Sequence, residues 1–229
     1  MTDTEVITSV EQDPRGSGAV RVAVNHRSFC TIPLDAAREL SVRPGLVLDD
    51  QLRARLSSAA DAQAAYRSVL AALGRRAFAR RDLERRLVHR GHPREAIRAA
   101  LDRAASAGLL DDHAFAVTYV QLKSARGRGP ARLLRDLFAM GVERGVAEQA
   151  VGAIWVADDA IVAASRALAE KRSAQLGELP VPVKRRRLLA YLARRGFTGR
   201  EVRGIVRSVV PDVRNRQGMQ LSHAPGGVA

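Results

Sequence analysis

The stretch Ala131-Arg132-Leu133-Leu134-Arg135-Asp136-Leu137-Phe138-Ala139-Met140-Gly141-Val142, continuing to Ala147 and Val151, decides the fold because its template occurs three times. Upstream, Arg81-Asp82-Leu83-Glu84-Arg85-Arg86-Leu87-Val88-His89-Arg90-Gly91-His92 continues to Ile97 and Leu101. Downstream, Arg186-Arg187-Leu188-Leu189-Ala190-Tyr191-Leu192-Ala193-Arg194-Arg195-Gly196-Phe197 continues to Val202 and Val206. Each copy is Leu, three residues, Leu, three residues, Gly, then apolar residues six and ten positions past the Gly. Leucines four apart stack on one helix face and form a buried stripe. The Gly supplies a left-handed stop, and the residue after it folds back on the stripe. The second apolar pair, again four apart, is the buried face of a second helix. The unit predicted is a helix, a tight glycine turn and another helix.

A third helical stretch precedes each unit: Ala62 to Leu73, Ala114 to Leu122 and Ala160 to Lys171. The acid pairs Asp111-Asp112 and Asp158-Asp159 open two of them, where a carboxylate accepts free backbone N–H groups and suits the positive helix end. Asp49-Asp50 would open the first and lengthen it. Pro130 fits the first position of a helix, where its missing N–H costs nothing. The chain therefore reads as mainly α, a tandem repeat of three three-helix modules, elongated and curved. Template glycines 91, 141 and 196 stand 50 and 55 residues apart, so the repeat is imperfect. The modules are expected at 49–110, 111–156 and 157–212, with a disordered tail over 213–229.

Residues 1–48 differ in texture and form a small β-hairpin-containing head. Glu5 to Gln12 and Ala19 to Pro33 alternate in part, with Val20, Val22 and Val24 on one face and the turn formers Asp13 to Gly18 between them. That spacing predicts a β-hairpin with room for a third strand. Leu34 to Leu40 suits a short helix, and Arg43-Pro44-Gly45 a turn.

Composition narrows the function. Of 229 residues 46% are hydrophobic and 27% charged, enough apolar material for a core. One cysteine, Cys30, excludes an internal disulfide framework and a CxxC-type zinc site, and fits a reducing compartment. MTDTEVITSV is no signal sequence and no apolar run approaches the roughly 18 residues a bilayer span needs, so a cytoplasmic protein away from membranes is expected. The five histidines lack HxxxH or HxH spacing, and neither a metal nor another cofactor is expected. Gly127-Arg128-Gly129-Pro130 is followed by no Lys-Ser/Thr and reads as a flexible link, not a phosphate loop. Capping accounts for Asp111-Asp112 without catalysis, and Trp155 and Phe138 read as core. With no nucleophile, metal or phosphate constellation, no enzymatic activity is expected. Aromatic residues are 4% of the chain, which disfavours a stacking-based reader of single strands.

The charge needs a partner. There are 38 Lys plus Arg against 24 Asp plus Glu, a net of +14, and only Lys123, Lys171 and Lys184 are lysines. Residues 1–60 hold seven arginines and eight acids, so the excess lies in the helical body. It gathers in three clusters: Arg75, Arg76, Arg80, Arg81, Arg85 and Arg86; Lys123, Arg126, Arg128, Arg132 and Arg135; and Lys184, Arg185, Arg186, Arg187, Arg194 and Arg195. Modules stacked with a constant rotation would align these into a basic stripe along a solenoid, suited to a polyanion and sensitive to salt. The competing reading is that the arginines solubilise helices and pair with neighbours such as Glu84 or Asp136.

Gly108-Leu109-Leu110-Asp111-Asp112-His113-Ala114-Phe115-Ala116-Val117-Thr118-Tyr119-Val120, followed by Gly129-Pro130 and the Leu133, Leu137, Gly141-Val142 template, strongly resembles the RecX family of recombinase regulators. Arg90-Gly91-His92 with Ile97 resembles it too, and Tyr191-Leu192-Ala193-Arg194-Arg195-Gly196-Phe197 is similar to the family's C-terminal signature. The resemblance covers roughly residues 62–210 and extends to the head. It implies a cytosolic, non-catalytic protein of three-helix repeats that docks in the groove of the RecA filament on DNA; separately, a monomer is expected. Such proteins limit filament growth and depress ATPase, strand exchange and coprotease activity, and some bind DNA themselves. His92 replaces the commoner Phe-like residue and Ala147 is small where Ile97 and Val202 stand, departures that touch only local packing. Two rival readings are a helix-turn-helix regulator that recognises a DNA sequence and a sequence-nonspecific DNA-binding protein.

Overall fold

Alternating valines give the head its sheet. In the computed structural model, which describes residues 4–14, 18–156 and 158–212, strands β1 (Ile7–Gln12), β2 (Ala19–Val24) and β3 (Arg27–Pro33) form an antiparallel sheet in that order. The expected hairpin thus carries its third strand. Val24 of β2 stands opposite Ile7 on one side and Arg27 on the other. Between β2 and β3, Asn25 and His26 take positive φ of 47° and 62°, as a two-residue hairpin turn requires. The turn at 15–17 lies outside the described residues, as does the tail after 212 where disorder is expected.

The chain divides at Phe115 into two compact units, described in turn. In the first, helix α1 (Leu34–Glu39) follows β3 where the short helix is predicted. The long helix α2 (Asp50–Leu73) opens at the acid pair: Asp49 accepts from the Leu52 N–H at 2.7 Å. Its first half closes the sheet, Leu56 packing with Ile7, Val20, Val22, Val24 and Ile32. Its second half brings Ala65, Tyr66 and Val69 against helices α3 (Arg80–His89) and α4 (Arg94–Ser106). A single α2 therefore supplies both the apolar cluster of the head and that of the helices.

The second unit contains most of α5 (Asp112–Ser124), then α6 (Pro130–Met140), α7 (Arg144–Ile154), α8 (Asp158–Gln175), α9 (Val181–Arg195) and α10 (Arg200–Val209). The template has one copy in the first unit and two in the second, with the same backbone bonds in each. Gly91, Gly141 and Gly196 take φ of 82°, 85° and 93°. Their N–H groups donate to Val88, Phe138 and Ala193, three residues back, while the next N–H donates to Leu87, Leu137 and Leu192 at 3.2, 3.0 and 2.9 Å. These are the paired bonds of a Schellman stop. Leu83, Leu87, Leu133, Leu137, Leu188 and Leu192 are all buried, as are Ile97, Leu101, Ala147, Val151, Val202 and Val206. His92 keeps the backbone bond and sets its Nε2 3.1 Å from the Ser68 Oγ, a polar substitute for apolar packing.

Three sequence expectations need correction. Gly127–Pro130 is a packed clasp and no flexible link: Gly127 ends α5 left-handed, and the Gly129 N–H donates to the Arg195 carbonyl at 2.7 Å. A Cβ on Gly129 would lie 2.8 Å from the Gly196 carbonyl oxygen, and one on Gly196 2.3 Å from the Arg132 nitrogen. Asp111 caps its own helix, accepting from His113 and Ala114, but Asp112 accepts from the Arg80 N–H at 2.7 Å and so caps α3. Phe138 is exposed at the flank of the leucine stripe, beneath the Arg144 guanidinium, not in the core.

The two glycine environments separate conformational from steric cost. Gly91→Ala meets nothing within 4 Å, so only the left-handed backbone opposes it, about 1–2 kcal/mol. Gly196→Ala adds a collision with Arg132, and its loss should reach at least about 3 kcal/mol. Urea unfolding of both variants gives the comparison; equal losses would mean that the clasp does not hold.

Candidate polyanion-binding surface

The leucine stripe fixes how each first helix is rotated, and this sorts the basic residues. Positions ten and six before the template Gly lie about 200° round the helix from a leucine. Arg81 and Arg186 occupy the first of these, Arg85 and Arg135 the second, and all four are exposed. Arg85 and Arg135 also share one local geometry, the Nε donating to the carbonyl four residues earlier, Arg81 at 3.3 Å and Ala131 at 3.4 Å. Arg75, Arg126, Arg187 and Arg194 are exposed as well. Among the described residues no carboxylate pairs with Arg75, Arg81, Arg126, Arg135, Arg186, Arg187 or Arg194.

The other members of the clusters hold the fold. Arg76 and Arg86 stack on Phe78, at 3.6 and 4.8 Å from the ring centroid, and both approach Asp82. Arg80 pairs with Asp102 at 2.6 Å, and Arg185 with Asp212 and the Val210 carbonyl. Lys123 covers the Tyr119 ring, and Lys184 donates to the Gly177 carbonyl. Arg195 donates to the carbonyls of Arg126 and Gly127 and lies over Tyr191. Arg128 and Arg132 converge on Asp136 at 2.5 and 2.9 Å, and the Tyr119 hydroxyl donates to the same carboxylate. Burial, then the charge of Asp136, pushes the Tyr119 phenol above its ordinary 10.0.

Nine before and five before the Gly stand Asp82 and Arg86, then Arg132 and Asp136, then Arg187 and Tyr191. The first two copies close an ion pair of opposite sense, at 3.5 and 2.9 Å, and the third has no acid. That leaves Arg187 unpaired beside Arg186.

The sequence reading missed a face on the second helices. Arg200, Arg203 and Arg207 are spaced three and four apart on the exposed side of α10. Moreover, Arg94, Arg144 and Arg200 each open a second helix. A cation at the positive end of a helix is unfavourable by roughly 0.3–1 kcal/mol. Its recurrence in three copies is the signal that would have flagged these residues.

Fold and surface together define a helical-repeat protein whose helices carry outward arginines. A family model for the second three-helix domain of RecX matches residues 111–151, and one for the third matches residues 158–206. The regulatory protein RecX of Halorhodospira halophila is 37% identical over 155 residues, 65% of this chain and 90% of the relative. That of Pelodictyon phaeoclathratiforme is 30% identical over 66% of this chain and 91% of its own length. The chain belongs to the RecX family of regulatory proteins. A crystal structure of regulatory protein RecX agrees in fold with a TM-score of 0.72 at 19% identity, over 89% of this chain and 99% of that one. RecX from Lactobacillus salivarius does so with 0.56 at 20%, over 65% and 96%. No helix among the described residues is long and apolar enough to cross a membrane.

The Asp136 cluster is a structural element and should behave as one. Asp136→Asn leaves two half-buried arginines without their carboxylate and should cost about 2–3 kcal/mol. Asp102→Asn breaks an ion pair whose carboxylate is 60% exposed and should cost at most about 1 kcal/mol. The folded chain holds the Tyr119 proton more tightly than the unfolded chain. This contribution is complete below about pH 10 and is lost as pH rises through the folded value. Urea midpoints between pH 8 and pH 11, with Tyr119→Phe as the insensitive reference, check both.

Proposed function

We propose that this chain binds the RecA filament on DNA and restrains it, lowering its ATPase, strand-exchange and coprotease activities without itself catalysing a reaction. The observation that carries this reading is that each repeat presents, on the outward side of its first helix, an arginine that no carboxylate among the described residues pairs with: Arg81, Arg135, and Arg186 with Arg187. A repeating polymer calls for a repeating surface, and cations held clear of local carboxylates keep their charge for a partner. The partners are acidic recombinase surface and exposed DNA phosphate, and the protein works in the cytoplasm as a monomer. Its three modules, at 49–110, 111–156 and 157–212, bridge neighbouring subunits and so hinder ATP turnover and subunit addition.

A second reading follows from α10. Arg200, Arg203 and Arg207 lie outward on the second helix of a helix, turn and helix, the element that enters the major groove in helix-turn-helix proteins. In that case DNA would be the direct target and the recombinase would be affected through loss of lattice.

The test is the single-stranded-DNA-dependent ATPase of the cognate recombinase with this protein titrated in, beside its own salt-dependent DNA binding. Inhibition should appear well below one protein per recombinase subunit, at concentrations where bare DNA is barely occupied. The double variant Arg186→Glu with Arg187→Glu should raise the half-inhibitory concentration about tenfold or more. Inhibition only at saturating DNA occupancy would favour the second reading, and an unchanged double variant would remove the third repeat from the interface.

A further inference from the structure

The second unit holds a solvent-open cavity of about 580 Å³ at the junction of α5, α8 and α9. Sites for small ligands run from roughly 300 to 1,000 Å³. Four cations line it: Arg126 from the turn after α5, Lys171 and Arg172 from α8, and Arg195 from α9. Among the described residues no Asp or Glu lines it. Elsewhere in this unit arginines meet carboxylates, as Arg128 and Arg132 meet Asp136. Here the acceptors are neutral. Arg172 donates to the Gln175 amide oxygen at 3.1 Å, and Arg195 to the Arg126 and Gly127 carbonyls at 3.0 and 3.3 Å. Those bonds fix the guanidinium groups without cancelling their charge. Like charges converging in a concavity with low-dielectric walls focus a positive potential there.

The remaining wall is aromatic. Tyr191 lies within reach of both guanidinium groups, 5.6 Å from Arg172 and 4.9 Å from Arg195 at its centroid. Trp155 meets the buried Phe197 edge to face, ring centroids 5.8 Å apart. Three of the chain's nine aromatic residues therefore meet at this one cavity. Arginine and lysine at a concave site suit a phosphate, and flat rings beside guanidinium planes suit a nucleobase. A carboxylate-bearing peptide would satisfy the cations and leave the rings without a partner.

We infer that this cavity is a nucleotide-binding site, with Lys171, Arg172 and Arg126 taking the phosphate and the Tyr191 and Trp155 side taking the base. A free nucleotide and a single nucleotide unit turned out of a strand present the same chemistry to it. The site stands apart from the filament reading, because Lys171, Arg172, Tyr191 and Trp155 are not among the outward arginines that reading uses.

Trp155 is the chain's one tryptophan, so its emission reports on this cavity directly. The full-length protein is titrated at low salt with ATP, with thymidine monophosphate and with an oligothymidylate of about ten nucleotides. Saturable quenching is expected, and Lys171→Gln with Arg172→Gln should weaken it at least tenfold. Lys171→Gln alone, at an exposed position, should weaken it in the same direction, and Arg186→Gln with Arg187→Gln should leave it unchanged while weakening filament inhibition. Saturation by the mononucleotides identifies a free nucleotide as the source, and saturation by the oligomer alone identifies a strand. No saturable change with any of the three overturns the inference. So does equal affinity in the Lys171 and Arg172 variants, or a response to polyglutamate with none to nucleotides.

Discussion

Everything in the helical body depends on one backbone conformation, the left-handed residue that ends each first helix. The bond from the following N–H back to the second leucine closes only when that residue has positive φ, a state that costs an L side chain about 1–2 kcal/mol. Gly91, Gly141 and Gly196 adopt it freely. The turn then sends the chain back across its own leucine stripe, so the apolar residues six and ten positions on arrive over Leu87, Leu137 or Leu192. Burying each such leucine contributes about 1.5–3 kcal/mol, which keeps helix, turn and helix a single unit. In the third copy the glycine has a further role: its bare Cα lets Arg132 and Gly129 approach, locking the α5–α6 connection onto the end of α9.

The same constraint distributes charge. Once the leucines face inward, the positions ten and six before the glycine face outward and can carry arginine at no cost to the core. The flanking positions, nine and five before it, are close enough to pair with each other. Copies one and two use them for an ion pair and copy three does not. The middle copy adds little net charge, since residues 111–156 hold six basic and five acidic residues, whereas residues 157–212 hold twelve and six. The absence of a carboxylate opposite Arg187 leaves that arginine, like Arg186 beside it, without an acidic partner among the described residues.

What could be read from the sequence is what is local in it. Leucine spacing, glycine stops, the Asp49 cap and the Pro130 start each depend on residues within one helical turn, and each stands where the spacing placed it. Asp136 was foreseeable as a partner for Arg132 for the same reason. What escaped involves distant segments. Asp112 caps a helix that begins 32 residues earlier, and Arg195 serves carbonyls 68 and 69 residues away. No periodicity encodes such contacts, so Gly127–Pro130 read as a link when it is a clasp. Phe138 shows a finer limit: one residue beyond the stripe, a hydrophobic side chain can lie under an arginine instead of in the core. The candidate site was legible as clusters, but the division into structural and free arginines required knowing which acids fold back onto them.

That division also separates two ways in which a basic protein uses its charge. On the convex helix faces, Arg81, Arg135 and Arg186 are bathed in solvent, where fields fade over about 8 Å at physiological salt. Each such contact is weak, and strength comes from repetition along an extended anion. In the cavity beside Trp155, four cations act in a partly enclosed space where screening is weaker, and neutral acceptors hold Arg172 and Arg195 in place. Such an arrangement favours one compact anion over a long one. If both proposals hold, an anion on the outward arginines is the more sensitive to salt and one in the cavity the less. The two surfaces can then respond separately to the same excess of arginine.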